Sequence, residues 1–293
     1  MKQELSILIP IYNNDCRQQV TELCHQAEDV KGLTFEIVVA DDGSSEAVVS
    51  DWLLAISKMK NVRCIRKEQN VGRAAIRNFL AREATYNWLL FMDGDMAIPS
   101  KEFVKNWVEA DIDQIGYGGY IVGPGESSSL RYIYEKKCEP MHRAKERQKR
   151  PFLHFHTCNF MINKELMLAH PFDERIRHYG YEDVLFGKQL RQAGATICHI
   201  ENPAGFFDYE DNEHFVSKTE EGLRTLYEFR NDLRGYSQMI TFVEGIHIKA
   251  VCKLIVLWHR LFGKMERRNL CGEKPSLRLF KLYKLGYYFC LKR

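Results

Sequence analysis

Three acidic clusters and one basic pair carry the chemistry this chain could perform. Asp93-Gly94-Asp95 follows the apolar run "WLLFM", so two carboxylates stand one residue apart where a buried strand should end. Like charges this close are unfavourable unless something positive sits between them: a divalent ion, an Arg or Lys, or screening solvent. Asp41-Asp42 follows a second apolar run, "FEIVVA". Glu182-Asp183 opens a helical pattern, "EDVLFGKQLRQAG". On their own these carboxylates complement a helix N-terminus. Arg73 and Arg77 lie one helical turn apart in "NVGRAAIRN". On their own they read as a solvated helix face with Glu68 or Glu83 as partner.

The elements that must position these groups follow from the hydrophobic pattern. "LSILIPIYN" reads as a buried strand feeding a loop, and "FEIVVADDGSS" as a second. "SEAVVSDWLLAISKM" is an amphipathic helix, with Ser44 or Ser45 as its expected N-cap. "VRCIRKEQN" is a short third strand, "VGRAAIRNFLAREAT" a helix opened by Gly72, and "WLLFMDGDM" the fourth strand. Such strand–helix alternation implies a doubly wound parallel sheet covered on both faces. In such sheets ligands bind beyond the carboxyl ends of the strands. Asn13 and Asn14, Asp41 and Asp42, Asn70, and Asp93 and Asp95 are all handed to that one edge.

Beyond Pro99, "IGYGGYIVG" and "FLHFHTCNFMIN" read as further strands, the latter setting His154 and His156 on one face. Residues 126–150 are polar and basic and read as an exposed, mobile excursion. A helical pattern runs from Asn212 to about Gly235, and a basic tail follows.

The 293 residues are 45% hydrophobic, enough for a sizeable core. Nine cysteines without a CxxC pair suit reduced thiols in a cytoplasmic setting. No uncharged apolar run approaches the ~20 residues needed to span a bilayer. The net charge of +3 hides an asymmetry: residues 246–293 hold 12 Lys and Arg against 2 Glu, a tail of +10 on a body of −7. Lys249, Lys253, Arg260 and Lys264 share a helical face, with Leu and aromatic residues over much of the rest. That composition suits an interfacial helix on an anionic membrane; the alternative is a helix packed on the domain with a solvated basic face. No nucleic-acid recognition motif accompanies the charge.

"SILIPIYNN", "VVADDGSS", "NVGRAAIRN", "LLFMDGDM" and "GYEDVLFGKQLRQAG" together resemble the family 2 glycosyltransferases. These are inverting enzymes of the GT-A fold that use nucleotide-sugars. The resemblance covers residues 5 to 235. It implies a GT-A domain over 1–235, with a nucleotide-binding half (1–100) and an acceptor half (101–235), and a helical basic extension over 236–293. It implies a UDP-sugar donor, a glycan or lipid-linked acceptor, and hexosyl transfer in surface polysaccharide synthesis at the inner face of the membrane. It places the donor against Pro10, Tyr12, Asn13, Asp41, Asp42, Asn70, Gly72, Arg73, Arg77, Asp93 and Gly94. Asp95 and Asp93 would hold Mn²⁺ or Mg²⁺, oxygen ligands and phosphates suiting either ion. Asp183 would be the base and Glu182 would orient the acceptor or hold the loop. Where the family often carries a metal-binding His, Phe206 stands here, with His199 and His214 as flanking candidates; His214 is kept as a third metal ligand.

Two rivals remain at this level. A nucleotidyltransferase of related topology expects a Gly-rich phosphate loop after the first strand, and "PIYNNDCRQQ" has no glycine. A non-catalytic sugar-nucleotide-binding scaffold expects decayed acidic sites, whereas Asp93, Asp95 and Asp183 are intact.

Overall fold

The four leading strands become parallel neighbours because each is followed by a helix; β1, β2 and β4 are buried on both faces, while β3 is a half-exposed edge strand. They are β1 (Glu4–Ile11), β2 (Thr34–Asp41), β3 (Val62–Arg66) and β4 (Trp88–Met92), alternating with α1 (Arg17–Asp29), α2 (Ala47–Ile56) and α3 (Arg73–Glu83). The computed structural model describes residues 2–45 and 47–292, and of residues 47–51 the backbone alone. Glu46, the residue before α2, lies outside the described residues; of the two expected caps before it, Ser44 has its hydroxyl bonded to Asp41 and to the Asn13 N–H.

After β4 come α4 (Phe103–Glu109), β5 (Ile115–Tyr117), β6 (Tyr120–Val122), α5 (Leu130–Cys138), a 3₁₀ turn (Glu139–His142) and α6 (Ala144–Arg147). Then follow β7 (Asn159–Asn163), α7 (Lys164–Ala169), α8 (Glu182–Gln192), β8 (Ile197–His199), β9 (Ala204–Phe206) and α9 (Asn212–Glu228). The chain closes with α10 (Gln238–Glu244), α11 (Lys249–Leu270) and α12 (Leu277–Leu291). The main sheet has seven strands in the order β3-β2-β1-β4-β7-β5-β8, and β7 alone runs antiparallel to its neighbours. β6 and β9 form a separate parallel pair.

Alternation along the strands divides the core in two. Leu5, Ile7, Ile9 and Ile11 of β1 face one layer with α1, α2 and α4. Leu8, Val38 and Phe91 face the other with α3 and α8. The pairing Ile11↔Asp41 and Asp41↔Arg66 brings the ends of β1, β2 and β3 level, so their loops open on one edge.

Three expectations are corrected here. "IGYGGYIVG" is two strands in different sheets, broken at Gly118-Gly119. Gly119 has φ +78°, and a Cβ on it would lie 2.7 Å from the Arg147 guanidinium. His154 and His156 lie in the loop before β7, not on a strand face. Residues 126–150 are folded into α5, the 3₁₀ turn and α6, with Leu130, Glu135 and Arg147 buried. Arg147 is held without a carboxylate partner among the described residues, its guanidinium donating to the carbonyls of His142, Tyr117, Gly118 and Ile200 at 2.7–3.1 Å and to His199 Nδ1 at 3.0 Å. Five donors spent on fixed acceptors are what let a charged group sit inside.

The tail packs on the body. Val256 of α11 and Tyr288 and Phe289 of α12 join a buried cluster with Ile176, Leu185, Leu223 and Leu226. Phe280 and Tyr283 join Leu130, Phe215 and Val216. Arg267 pairs with Glu220 at 3.1 Å, and the Tyr283 hydroxyl donates to the same carboxylate at 2.6 Å. Deleting residues 246–293 should therefore lower the thermal midpoint of the remaining chain and make it aggregate, because the apolar face of α9 is uncovered. An unchanged melting curve would show that α11 and α12 add nothing to the body's stability.

Candidate active site

A cleft of about 570 Å³ opens at the carboxyl ends of the parallel strands, within the ~300–1,000 Å³ usual for small-molecule sites. Pro10, Tyr12 and Asn13 line it from the β1 end, and Asp42, Asn70 and Gly72 from the β2 and β3 ends. Arg73 and Arg77 enter from α3, Asp93, Gly94 and Asp95 from the β4 end, and His214 from the start of α9. Twelve of the expected donor and metal residues thus share one wall-to-wall space.

The loops are knitted by their own polar groups. The Asn13 backbone N–H donates to Ser44 Oγ at 2.7 Å, and the Ser45 N–H donates to Asn13 Oδ1 at 3.0 Å. Asn13 holds φ +51°, a left-handed conformation that Asn tolerates better than most residues. Asp42 accepts from the backbone N–H groups of Val71 and Gly72 at 2.8 and 3.0 Å. Burial pushes its carboxyl above the usual range, and those two N–H groups oppose the shift. Gly72 has φ +92°, and a Cβ there would stand 2.9 Å from the Arg177 carbonyl, so the position requires glycine. Asp41 differs from its neighbour. It is fully buried, accepts from the Ser44 hydroxyl at 2.5 Å and pairs with Arg66 Nε at 3.2 Å, and it does not line the cleft.

The positive charge between the carboxylates is Arg77. It is 1% exposed, donates to Asp93 Oδ1 at 2.6 Å and lies 3.4 Å from Glu182 Oε1. Glu182 is also buried, with Arg73 at 3.9 Å. Burial and then the adjacent Asp183 push Glu182 up, while Arg73 and Arg77 pull it down. Arg73 stays charged: burial works against it, but Glu182, then Asp93, more than compensate. α3 is therefore no solvated face, and Glu83 pairs with Arg63 instead, at 2.7 Å.

Asp95 is left open. It is solvent-exposed at the base of the cleft and makes no ion pair among the described residues. Its carboxyl is raised, by the surrounding protein first and the Asp93 charge second. An unpaired carboxylate beside a second one with a free oxygen fits a hard divalent ion that completes its shell with diphosphate oxygens and water. Among the described residues no group of three metal-ligating side chains is preassembled, so His214 shares the cleft without completing a cluster with Asp93 and Asp95. His199 is elsewhere: it is buried, bonded to Arg147 at 3.0 Å and to the Pro151 carbonyl at 3.0 Å, and held down to about 4 by burial and the Arg147 charge. Phe206 packs edge-on to Tyr209, under the Arg131 guanidinium.

Asp183 and Glu182 do not line this cleft but begin α8 beside it. Tyr181, immediately before them, holds φ +69°, a costly conformation for a bulky side chain and one that clusters at functional sites. The Asp183 carboxylate lies 3.0 Å from His156 Nδ1. Burial would raise Asp183, but the His156 hydrogen bond and charge outweigh it and hold the group below its ordinary value. His156 moves the other way: burial opposes its charge, and Asp183 overcomes that and raises it. Sequence reasoning missed this pair, because 27 residues separate its members. It missed Arg177 and Lys218, the latter paired with Glu210 at 3.0 Å, for the same reason.

Residues 6–168 match the family model described as "Glycosyl transferase family 2". The chain belongs to that family and is a glycosyltransferase, which removes the nucleotidyltransferase alternative. It is 27% identical over 239 residues to a chondroitin synthase of Escherichia coli, an alignment covering 69% of this chain and 34% of that one. The chain thus spans about a third of that relative's length. Among solved structures it is similar to a mannosyltransferase from Pyrobaculum calidifontis in complex with GDP-Man and Mn²⁺. That match has TM-score 0.60 and 11% identity, over 99% of this chain and 86% of that one. It is also similar to S. aureus TarS in complex with UDP-GlcNAc, with TM-score 0.51 and 17% identity, over 100% of this chain and 90% of that one. Both likenesses define the GT-A fold.

Arg77→Met keeps much of the volume and leaves Asp93 and Glu182 without their shared cation. It should cost about 3–5 kcal/mol, as breaking a buried pair does, measured by urea unfolding. A loss below ~1 kcal/mol, the scale of exposed pairs, would mean that water already compensates the two carboxylates.

Proposed function

We propose that the cleft binds a UDP-sugar and that the enzyme transfers its sugar, with inversion, to a hydroxyl of a glycan or lipid-linked acceptor in cell-surface polysaccharide synthesis. The observation that carries this is the convergence of the β1, β2, β3 and β4 ends on one cleft that holds an unpaired carboxylate, Asp95, together with Arg73 and Arg177. The UDP-GlcNAc bound by TarS and the polymer named in the chondroitin synthase support the same reading.

In this reading Tyr12, half exposed at the mouth, stacks on the base, and Asp42 or the loop it clamps meets the ribose and uracil edge. Asp41 acts at one remove, fixing Ser44 and so the loop after β1. Arg73 and Arg177 face the diphosphate, and Gly72 and Gly94 let it approach the backbone. Asp95, with Asp93, would hold Mn²⁺ or Mg²⁺, and the ion when bound neutralises charge on the departing diphosphate. His214 is a further ligand only if α9 moves toward the pair.

Asp183 accepts the proton as the acceptor oxygen forms its bond to the anomeric carbon and the bond to the diphosphate breaks. His156, donating from Nδ1 to Asp183, holds the carboxylate oriented. Glu182 stays within the arginine pair and positions Asp183. The basic C-terminal helices bring the enzyme to the inner face of an anionic membrane, where a lipid-linked acceptor would be presented.

Release of nucleotide from a panel of nucleotide-sugars, with Mn²⁺ or Mg²⁺ and with EDTA, tests the donor and metal. UDP-sugars should turn over only with metal, and Asp95→Ala should abolish turnover and weaken UDP binding. Full activity after exhaustive metal stripping would sink the metal assignment. Asp183→Asn should lower transfer by ~10²-fold or more with UDP affinity unchanged; an equal fall in affinity would make Asp183 a binding residue.

The pH profile adds a check. His156 titrates above its ordinary 6.5. Below that point it is an imidazolium that weakens Asp183 as a base, so transfer should fall as the pH drops through it. His156→Asn still donates a hydrogen bond but does not titrate, and should move the acid limb to lower pH. An unmoved limb would assign it to another group.

A further inference from the structure

We infer that the outer face of α11 is a membrane-docking surface that lays the helix along an anionic lipid bilayer. The inference deepens the membrane placement proposed above by naming the face that makes contact. The inner face of α11 is committed to the protein: Val256, Gly263, Glu266 and Leu270 are buried. The opposite side carries an apolar stripe that nothing among the described residues covers. Val251, Leu254, Trp258, Leu261 and Met265 recur at alternating steps of three and four, which at 3.6 residues per turn sets them in one line. Leu254, Leu261 and Met265 are 63%, 66% and 62% exposed. Leu257 broadens the stripe, and Ile248 extends it at the N-terminal end.

Charge says what covers it. Lys249, Lys253, Arg260 and Lys264 run beside the apolar stripe, all exposed, and none pairs with a carboxylate among the described residues. The helix has one acidic residue, Glu266, and it is buried, accepting from Trp258 Nε1 at 2.7 Å and lying 3.6 Å from His259 Nδ1. The exposed face is therefore apolar and cationic with no negative charge. An anionic bilayer satisfies both halves: its acyl boundary takes the leucines and the Trp, and its headgroups take the ammonium and guanidinium groups. A second copy of the chain satisfies one half only, since pairing two such faces sets cation against cation with no carboxylate to bridge them. The helix lies on the surface and does not cross it, because none of the described helices is long and apolar enough to span a membrane.

The test uses the full chain and vesicles of phosphatidylcholine with or without phosphatidylglycerol. The protein should float with the anionic vesicles and at least tenfold less with the neutral ones, and salt should weaken the association. Leu254→Ser with Leu261→Ser, and separately Lys253→Gln with Arg260→Gln and Lys264→Gln, should each lower flotation about tenfold or more. The melting curve should be unchanged, since none of these side chains is buried. Trp258 emission should shift to the blue on anionic vesicles, and Trp258→Phe should remove that shift. Variants that float like the parent, or a parent that stays in solution with both vesicles, would overturn the inference. A dimer by light scattering that the Leu254→Ser, Leu261→Ser pair dissolves would overturn it too, assigning the face to a second copy. UDP-sugar hydrolysis without vesicles reports the cleft separately, so failure of docking and failure of the catalytic reading are distinguishable.

Discussion

One buried guanidinium ties the halves of the site together. Arg77 rises from α3, bonds Asp93 at the end of β4 and reaches Glu182 at the start of α8. A charge so enclosed is stable only because two carboxylates meet it, and those carboxylates are tolerable only because the cation is there. The triad fixes the distance between the sheet edge that would hold a diphosphate and the helix that carries Asp183. It also divides labour between the two aspartates of Asp93-Gly94-Asp95. Asp93 is spent on the scaffold through one oxygen, and Asp95, with no ion pair among the described residues, is left to the cleft.

The same economy recurs around the cleft. Asp41 and Asp42 are adjacent and chemically identical, yet Asp41 is sealed against Ser44 and Arg66 while Asp42 clamps the backbone before α3. Asp183 is poised by His156, a neighbour from the loop before β7. In the proposed mechanism Asp42 and Asp183 are each backed by groups that do not face the substrate, the arrangement that holds reacting groups to a fraction of an ångström.

The parallel strands and their polar ends were legible in the sequence, because strands buried on both faces must be apolar throughout and must stop where the chain meets water. The cleft was legible for the same reason: parallel strands deliver their C-terminal residues to one edge. What was not legible depended on partners distant in sequence. Arg77 reads as half of a solvated pair until β4 and α8 are placed against it. Residues 126–150 read as a basic excursion because composition cannot reveal that Arg147 finds four backbone carbonyls. The tail read as a membrane helix or as a packing helix, and the fold gives it both an inner face on α9 and a bare outer one. The strand expected to carry His156 failed because a six-residue apolar-aromatic stretch is as easily a packed loop; Phe155 is buried there without any ladder.

The central claim is that Asp95, freed by the hold of Arg77 on Asp93, receives the ion that carries a nucleotide diphosphate. Anomalous diffraction from crystals grown with UDP and Mn²⁺ tests it most directly. The account predicts a manganese peak bridging the Asp95 carboxylate and the diphosphate, with Arg77 still bonded to Asp93. UDP seated in the cleft with no manganese at Asp95, or an ion that displaces Arg77 from Asp93, would contradict it.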